Sequence, residues 1–419
     1  MKRILVLALS LSVLAIGCSD KSTDSAGSAD TNVTTLKVPS QYKTIQEAVD
    51  KAKPGNLVLV SPGIYKEAVK VETADITIRG TDRNKVIIDG EFTRPNGIQV
   101  FSNGVAIENL TARNNKGNGV FFTGNYSDDA SKNQILTGYR ASYVTAYDNG
   151  DYGIYAFNAT KGVFDHDYGS GHPDAAFYIG QCNPCEALLT DDLGEQNMLG
   201  YSGTNSTGVT IVNSTFRKNR AGIVPNSEHG EKLGPNSGTS IIGNRIDNNN
   251  STEAANSASL AVAYGMGIVL GGTSNNIVER NLVTNQKNAG IVITDQPEGF
   301  QPENNKVRNN VVSSNQFDLA YATIATTTTL HGNCFEGNQF TTEFPLGLQE
   351  KAKCGGPDVD LGSMMDVVAK LVPPPADVDW KTVAAPADQP NMPNAVTAAV
   401  VPARGPTMPA LDSIKTPTA

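Results

Sequence analysis

No apolar run in this chain is long enough to cross a bilayer: Ile4 to Ile16 spans thirteen residues, where a membrane helix needs about 20. Basic charge is also short, with 33 Lys and Arg against 42 Asp and Glu and a formal net charge of -9. That balance argues against a nucleic-acid partner, because phosphate binding needs clustered Lys and Arg. It does suit cations such as Ca²⁺. Aromatic residues make up 6% of the chain, charged residues 18%, and there are four histidines and five cysteines. What is plentiful is glycine, 40 residues within a chain that is 39% hydrophobic. That composition suits a folded protein built of many short strands and turns.

The N-terminus has the order of an export signal: Lys2-Arg3, the apolar run, then small residues. Leu14-Ala15-Ile16-Gly17-Cys18 resembles the lipobox of bacterial lipoproteins. The resemblance implies a signal peptide over residues 1–17, a lipid on Cys18, and export to the outside of a bacterial membrane, at the cell surface or in the periplasm. Loss of Lys2 and Arg3 makes the mature chain more acidic still. Each buried methylene of an acyl chain contributes about 0.8 kcal/mol to anchoring. Residues 18–36, rich in Ser, Thr, Asp and Ala, then read as a flexible tether. The four remaining cysteines are an even number, which in an exported chain suits disulfides. Cys182-Asn-Pro-Cys185 could also be a redox pair or half a zinc site, but no second CxxC or His pair stands at ligand spacing. Cys334 and Cys354 bracket the end of the repeats.

Thr44-Ile-Gln-Glu47 has the Thr-x-x-Glu form of a capping box, and Ile45, Ala48, Val49 and Ala52 recur at helical spacing before Pro54-Gly55. A short amphipathic helix is expected there, followed by β-branched runs such as Leu57 to Val60 and Ile76 to Ile78. From about residue 104 one phrase recurs. Val105-Ala-Ile-Glu-Asn-Leu-Thr-Ala-Arg-Asn-Asn, closing on Gly119-Val-Phe-Phe, returns at 141–149, 209–219, 276–285 and 305–315, each copy closing on a similar apolar step. Asn149 to Gly171 and Asn315 to Asn338 give a period of 22 to 23 residues. Loops at 124–137 and 250–263 explain the longer intervals.

A period of this length marks stacked coils. The leucine-rich frame Leu-x-x-Leu-x-Leu is missing, whereas asparagine recurs at the turns, where the left-handed conformation is tolerated and stacked amides can bond along the axis. Over roughly residues 37–345 the coils resemble the right-handed parallel β-helix, or pectin-lyase-like, repeat family. The expected fold is an all-β right-handed parallel β-helix (solenoid) over 37–356, closed below by the helix at 44–53. A possible cap at 357–372 would close it above, through Met364, Val367, Val368 and Leu371. The Pro/Ala-rich stretch 373–419 is expected to be an extended or disordered tail. Thr44-Ile-Gln-Glu-Ala-Val and Ser61-Pro-Gly-Ile-Tyr-Lys-Glu resemble the opening of pectin methylesterases, but the esterases' Gln-Asp-Thr-Leu and Leu-Gly-Arg-Pro-Trp motifs are absent.

The densest titratable stretch is Asp165-His166-Asp167-Tyr168, with His172-Pro-Asp174 just beyond, and it holds two of the four histidines. A lyase or epimerase acting on uronic acids needs a carboxylate neutraliser, a base and an acid, which Asp, His and Tyr can supply. Asp165, Asp167, His172 and Asp174 are the candidate catalytic set. Their order is loosely similar to the Asp-Pro-His motif of mannuronan C5-epimerases, reversed, so no role transfers by position. The competing reading makes the stretch one more coil, with Val163 aligned on Ile107, His166 on Leu110 and Tyr168 on Ala112. His166 and Tyr168 then face inward and the acids serve as turn residues.

Polygalacturonases offer Thr190-Asp191-Asp192 as an acidic pair for comparison, but their Gly-His-Gly and Arg-Ile-Lys motifs are absent, and the two acids read as turn residues. Arg217, Lys218 and Arg220 could hold an acidic sugar or form a solvated face. Tyr147, Tyr152, Tyr155, Phe177 and Tyr178 could stack on sugar rings or pack in the core. Three functions remain: a surface-anchored lipoprotein that binds polysaccharide or cell-wall glycan, a polysaccharide lyase or C5-epimerase with Ca²⁺ as its possible cofactor, and a structural adhesin-like rod. A monomer is expected, and no resident metal site is assigned.

Overall fold

The computed structural model describes residues 33–127, 129–256, 263–296, 299–323, 329–361, 367 and 369–418. The expected signal peptide, Cys18 and the expected tether up to residue 32 lie outside them, as do 362–366 and 368 of the expected cap. Three all-parallel sheets run the length of the described rod. Sheet A has twelve strands, from Thr35–Val38 to Cys334–Glu336; sheet B has ten, from Gly63–Tyr65 to Val311–Ser313; sheet C has eleven, from Val69–Val71 to Glu343–Phe344. Each coil contributes one strand to each sheet in turn, so neighbours within a sheet are one coil apart in sequence.

The register builds the core as columns. In sheet A, Val58, Ile78, Ile107, Ala141, Phe164, Leu189, Ile211, Ile241, Val278, Val307 and Phe335 stand level with one another and are all fully buried. Burying a side chain of this size stabilises by roughly 1.5–3 kcal/mol. No coil could shelter these residues without the coil above and below it.

The expected helix is present as α1, Ile45–Lys51, and Thr44 accepts from the Glu47 N–H. Ile45, Ala48 and Val49 are buried in the same core as the first strand, so α1 closes the lower end. At the upper end a second short helix, α2 (Leu348–Lys351), buries Leu348 against the last coils. It lacks a helical repeat long enough to be read from sequence. Of the cap expected at 357–372, Val367 is buried at 5% exposure. Cys182 pairs with Cys185, and Cys334 with Cys354. The second bond ties the last sheet-A strand to the segment after α2, and a loop of that length contributes about 3 kcal/mol by restricting the unfolded chain.

The tail takes the extended form and is not disordered: it is fastened to the rod along its length. Arg220 donates to the Pro375 and Ala376 carbonyls (3.3 and 2.9 Å), and Trp380 packs edge-on against Phe92 at 5.4 Å. Gln389 and Asn84 exchange two bonds of 2.9 Å. The buried Arg79 guanidinium then takes the carbonyls of Ala395, Ala398 and Ala399 (3.2, 2.8 and 3.0 Å). Beyond it Arg140 holds Val401 O and Arg280 holds Leu411 O, while Ile414 is buried with Leu188, Val212 and Ile242 on the outside of sheet A. Composition missed this because the tail is held mainly through its backbone carbonyls.

Candidate functional site

The observed register differs by one residue from the alignment that places Val163 on Ile107. Val163 stands level with Ala106 and Arg140, Phe164 with Ile107, and Tyr168 with Thr111. A slip of one residue exchanges the two faces of a strand. Phe164 and Gly169 therefore point inward, while the His166 side chain is 45% exposed, in a turn with φ 57°. Tyr168 is buried on the outside of sheet B, its hydroxyl donating to Glu195 Oε1 (2.9 Å).

This register distributes the four candidate catalytic residues to different sides of the coil. Asp165 ends its sheet-A strand facing outward. Asp167 is 1% exposed in the turn between sheets A and B, and its Oδ1 accepts from Val144 N–H (2.7 Å). Burial pushes its carboxyl well above the usual range, as it does for Asp192, whose Oδ1 accepts from Asp167 N–H (2.8 Å). His172 is fully buried in the turn between sheets B and C. Asp174 lies at the entrance to sheet C. The four do not converge in one groove, and the two buried inside the turns cannot touch a polymer.

His172 instead occupies a rung of an asparagine ladder. Asn115 N–H donates to Asn149 Oδ1, Asn197 N–H to Asn219 Oδ1, and Asn219 N–H to Asn249 Oδ1, at 3.1, 3.0 and 3.2 Å. Between Asn149 and Asn197 the rung is His172, with Nδ1 2.7 Å from Asn197 Oδ1 and Nε2 3.2 Å from Asn149 Nδ2. A neutral imidazole donating through Nδ1 and accepting at Nε2 satisfies both contacts. Burial lowers its pKa from 6.5 to about 4. The unfolded chain therefore takes up the proton first as pH falls, and folding stability tied to this residue is present above about pH 6.5 and lost towards pH 4. His172→Asn, which restores the usual rung, should remove that loss. The wild type should lose about 3 kcal/mol more than the variant between pH 6.5 and 4. Parallel denaturant curves at the two pH values test this, and identical pH dependence of the two proteins would refute it.

The basic cluster also separates. Arg217 pairs with Glu195 (2.8 Å) on sheet B, Lys218 is exposed at a turn, and Arg220 is buried and committed to the tail. Phe177 is a core residue, level with Ile154 and Tyr201 and fully buried. Tyr147 lies on sheet B, its hydroxyl accepting from Arg113 (2.7 Å).

The remaining predicted aromatics do come together, on the outer face of sheet C. Phe121, Tyr155 and Tyr178 are level on three successive coils. Phe121 and Tyr155 stack at 4.5 Å, Tyr155 and Tyr178 meet at 4.8 Å, and Tyr152 lies 4.6 and 4.8 Å from the two tyrosines. Phe121, Tyr152 and Tyr155 are half-buried and reach the surface, whereas Tyr178 is buried beneath the loop that carries Glu231. Carboxylates flank them: Asp174 faces Tyr152, and the Tyr178 hydroxyl donates to Glu231 Oε2 (3.4 Å). Burial first, and the charge of Asp151 second, push Asp174 up to about 7; burial and Glu228 raise Glu231. The loop carrying Tyr126 and the loop carrying Lys232 meet beside this strip, with Lys232 5.1 Å over the Tyr126 ring. Sequence reading found Tyr152, Tyr155, Tyr178 and Asp174 but missed Phe121, Asp151, Glu228 and Glu231. The missing signal was the strand register, which alone brings four coils to one place. Concave pockets of about 460 and 470 Å³ open elsewhere, beside α2 and beside α1.

Residues 137–343 match the family described as right handed beta helix region. That segment belongs to the right-handed β-helix family, and the earlier coils continue its three sheets without a break. No curated protein sequence matches the chain. Solved structures with a similar course include the A-module of a mannuronan C-5 epimerase from Azotobacter vinelandii, with 12% identity, TM-score 0.48, and 71% of this chain and 91% of that one covered. The Dettilon tailspike protein follows, with 14% identity, TM-score 0.44, and 74% and 68% covered. An alginate lyase from Paenibacillus has 15% identity, TM-score 0.38, and 74% and 96% covered. Likeness this distant carries no activity across to this chain.

Proposed function

We propose that this protein is an exported, lipid-anchored β-helix that binds a polysaccharide along the outer face of sheet C. The observation that carries the reading is the stacked, half-buried pair Phe121 and Tyr155 on the outer face of sheet C, with Tyr152 and Asp174 beside it. Aromatic surface next to convergent hydroxyls and carboxylates is the chemistry that holds sugar rings and their hydroxyls. Asp151, Asp174, Glu228 and Glu231 make the strip acidic, which favours neutral or amino-bearing glycans over uronates.

One observation favours the enzymatic alternative. A carboxyl with a pKa of about 7 exchanges protons readily near neutral pH, so Asp174 suits a general acid or base. One set of assays tests both readings. The full chain in detergent should retain a soluble glycan from a mixed panel of neutral, amino-bearing and uronate polymers, and Tyr155→Ala should weaken retention at least about fivefold. Product formation that disappears in Asp174→Asn establishes catalysis, whereas retention without product establishes binding alone. If no polymer is retained, or Tyr155→Ala retains it as well as the wild type, the reading fails. The anchor is checked in the same cells by fatty-acid labelling, which Cys18→Ser should abolish.

A further inference from the structure

We propose that Asp165, His166 and Asp191 form a binding site for a divalent metal ion of the zinc class, on the outside of the turn between sheets A and B. Their ligand atoms all lie within 4.8 Å of one another. That is close to the spread of one coordination sphere with bonds of about 2.0–2.3 Å.

Coil stacking creates the arrangement. His166 and Asp191 are the left-handed residues of two successive turns, with φ of 57° and 58°, and Asp165 stands level with Thr190. Each ligand is already oriented by a neighbour. Ser142 Oγ donates to Asp165 Oδ2 (3.2 Å) and Thr190 Oγ1 to Asp191 Oδ2 (2.7 Å). The imidazole stacks on Tyr143 at 4.6 Å; its Nδ1 contact with Asp165 Oδ1 (2.5 Å) joins two of the ligands and gives way when an ion enters between them. Such outer contacts fix ligand direction before an ion arrives.

A second observation lies beneath these three. Asp165 N–H donates to Asp167 Oδ2 (3.3 Å) and Asp167 N–H to Asp192 Oδ1 (2.8 Å), so two buried carboxyls underlie the exposed group. Asp192 Oδ2 is buried without a hydrogen-bond partner. Arg83 is the cation facing these carboxyls, and its own hydrogen bonds go elsewhere, to Thr145 Oγ1, Val144 O and Pro390 O. The half-buried Asp165 and exposed Asp191 carboxylates, neither of them in an ion pair with a lysine or arginine among the described residues, attract a cation. The imidazole selects its class. Ca²⁺ takes oxygen ligands, whereas one nitrogen and two carboxylates suit Zn²⁺ and its neighbours, with the remaining positions left to water.

The test is calorimetric titration of the full chain, stripped with a chelator, using zinc chloride and then calcium chloride. His166→Asn and Asp191→Asn are the variants, because asparagine keeps the left-handed turn while removing the strong ligand. Saturable binding of one Zn²⁺, weakened on the order of tenfold or more in each variant, is the expected result. Zinc binding equal in wild type and both variants, or no binding at all, would overturn the site. Calcium binding tighter than zinc would overturn the assignment of ion class. Unchanged circular dichroism of the variants separates ligand loss from misfolding.

Discussion

Asn219→Ala should destabilise the rod by about 4 kcal/mol, although the residue touches neither surface nor ligand. Asn219 is fully buried; its Oδ1 accepts from Asn197 N–H and Asn197 Nδ2 (3.0 and 2.9 Å), and its Nδ2 donates to Gly194 O and Asn249 Oδ1 (both 2.9 Å). Alanine takes partners from Asn197 N–H and Gly194 O on the coil before it and from Asn249 Oδ1 on the coil after it, and each buried orphan costs roughly 1–3 kcal/mol. No water can reach them without opening the stack. In a one-dimensional array the damage also falls on two interfaces at once, because each coil is held by its neighbours. The preceding residue, Lys218, sits exposed in the turn and supplies no substitute rung. Denaturant unfolding of wild type and variant measures the effect. A loss below about 1 kcal/mol would mean that the ladder is decorative and that the columns of apolar residues alone hold the coils.

The coil array was legible because two independent signals coincide in it. Short β-branched runs carry the strands, and asparagines such as Asn149, Asn219 and Asn315 mark a turn that demands both a compact backbone and a stacked amide. The helix at Ile45–Lys51 was legible for the same reason, since a cap and an apolar spacing agree. The candidate site was legible only in part. In Val163-Phe164-Asp165-His166-Asp167 the apolar pair allows either register, and Gly169, which takes the inward place on the next strand, has no side chain to mark it. The wrong choice turns His166 inward and makes Asp167 a plain turn residue. The right one makes Asp167 a ladder residue and leaves Asp165 and His166 facing solvent. Histidine at 172 drew attention as chemistry, yet an imidazole and an amide have similar hydrogen-bonding reach, so the ladder accepts either. The acids around Tyr152 and Tyr178 come from separate coils, Asp151, Asp174 and the 227–239 loop, and nothing local in the sequence announces their meeting.

Ending the chain after residue 372 should lower the melting temperature by roughly 5–10 °C while leaving the three sheets formed. The sheets do not use the tail for any strand, so the coil hydrogen bonds survive its removal. What is lost lies on the outside of sheet A. Arg79, buried and paired with Glu108 at 2.6 Å, gives up three carbonyl acceptors, and Leu188, Val212 and Ile242 lose the cover of Ile414. Covering an isoleucine contributes about 2 kcal/mol, and hydrogen bonds to a charged donor contribute about 1.5–3 kcal/mol each before the ordering of the tail is subtracted. That subtraction is moderated by the tail's prolines, which restrict φ in the free chain and so lower the freedom lost on docking. A net effect on the order of 5 kcal/mol is what the melting shift expresses. The shortened protein should also self-associate, because Leu188, Val212 and Ile242 are then uncovered as an apolar patch on sheet A. Thermal melts and sedimentation of both proteins decide the point: equal melting temperatures and a monomer in each case would show that the tail rests on the rod without holding it.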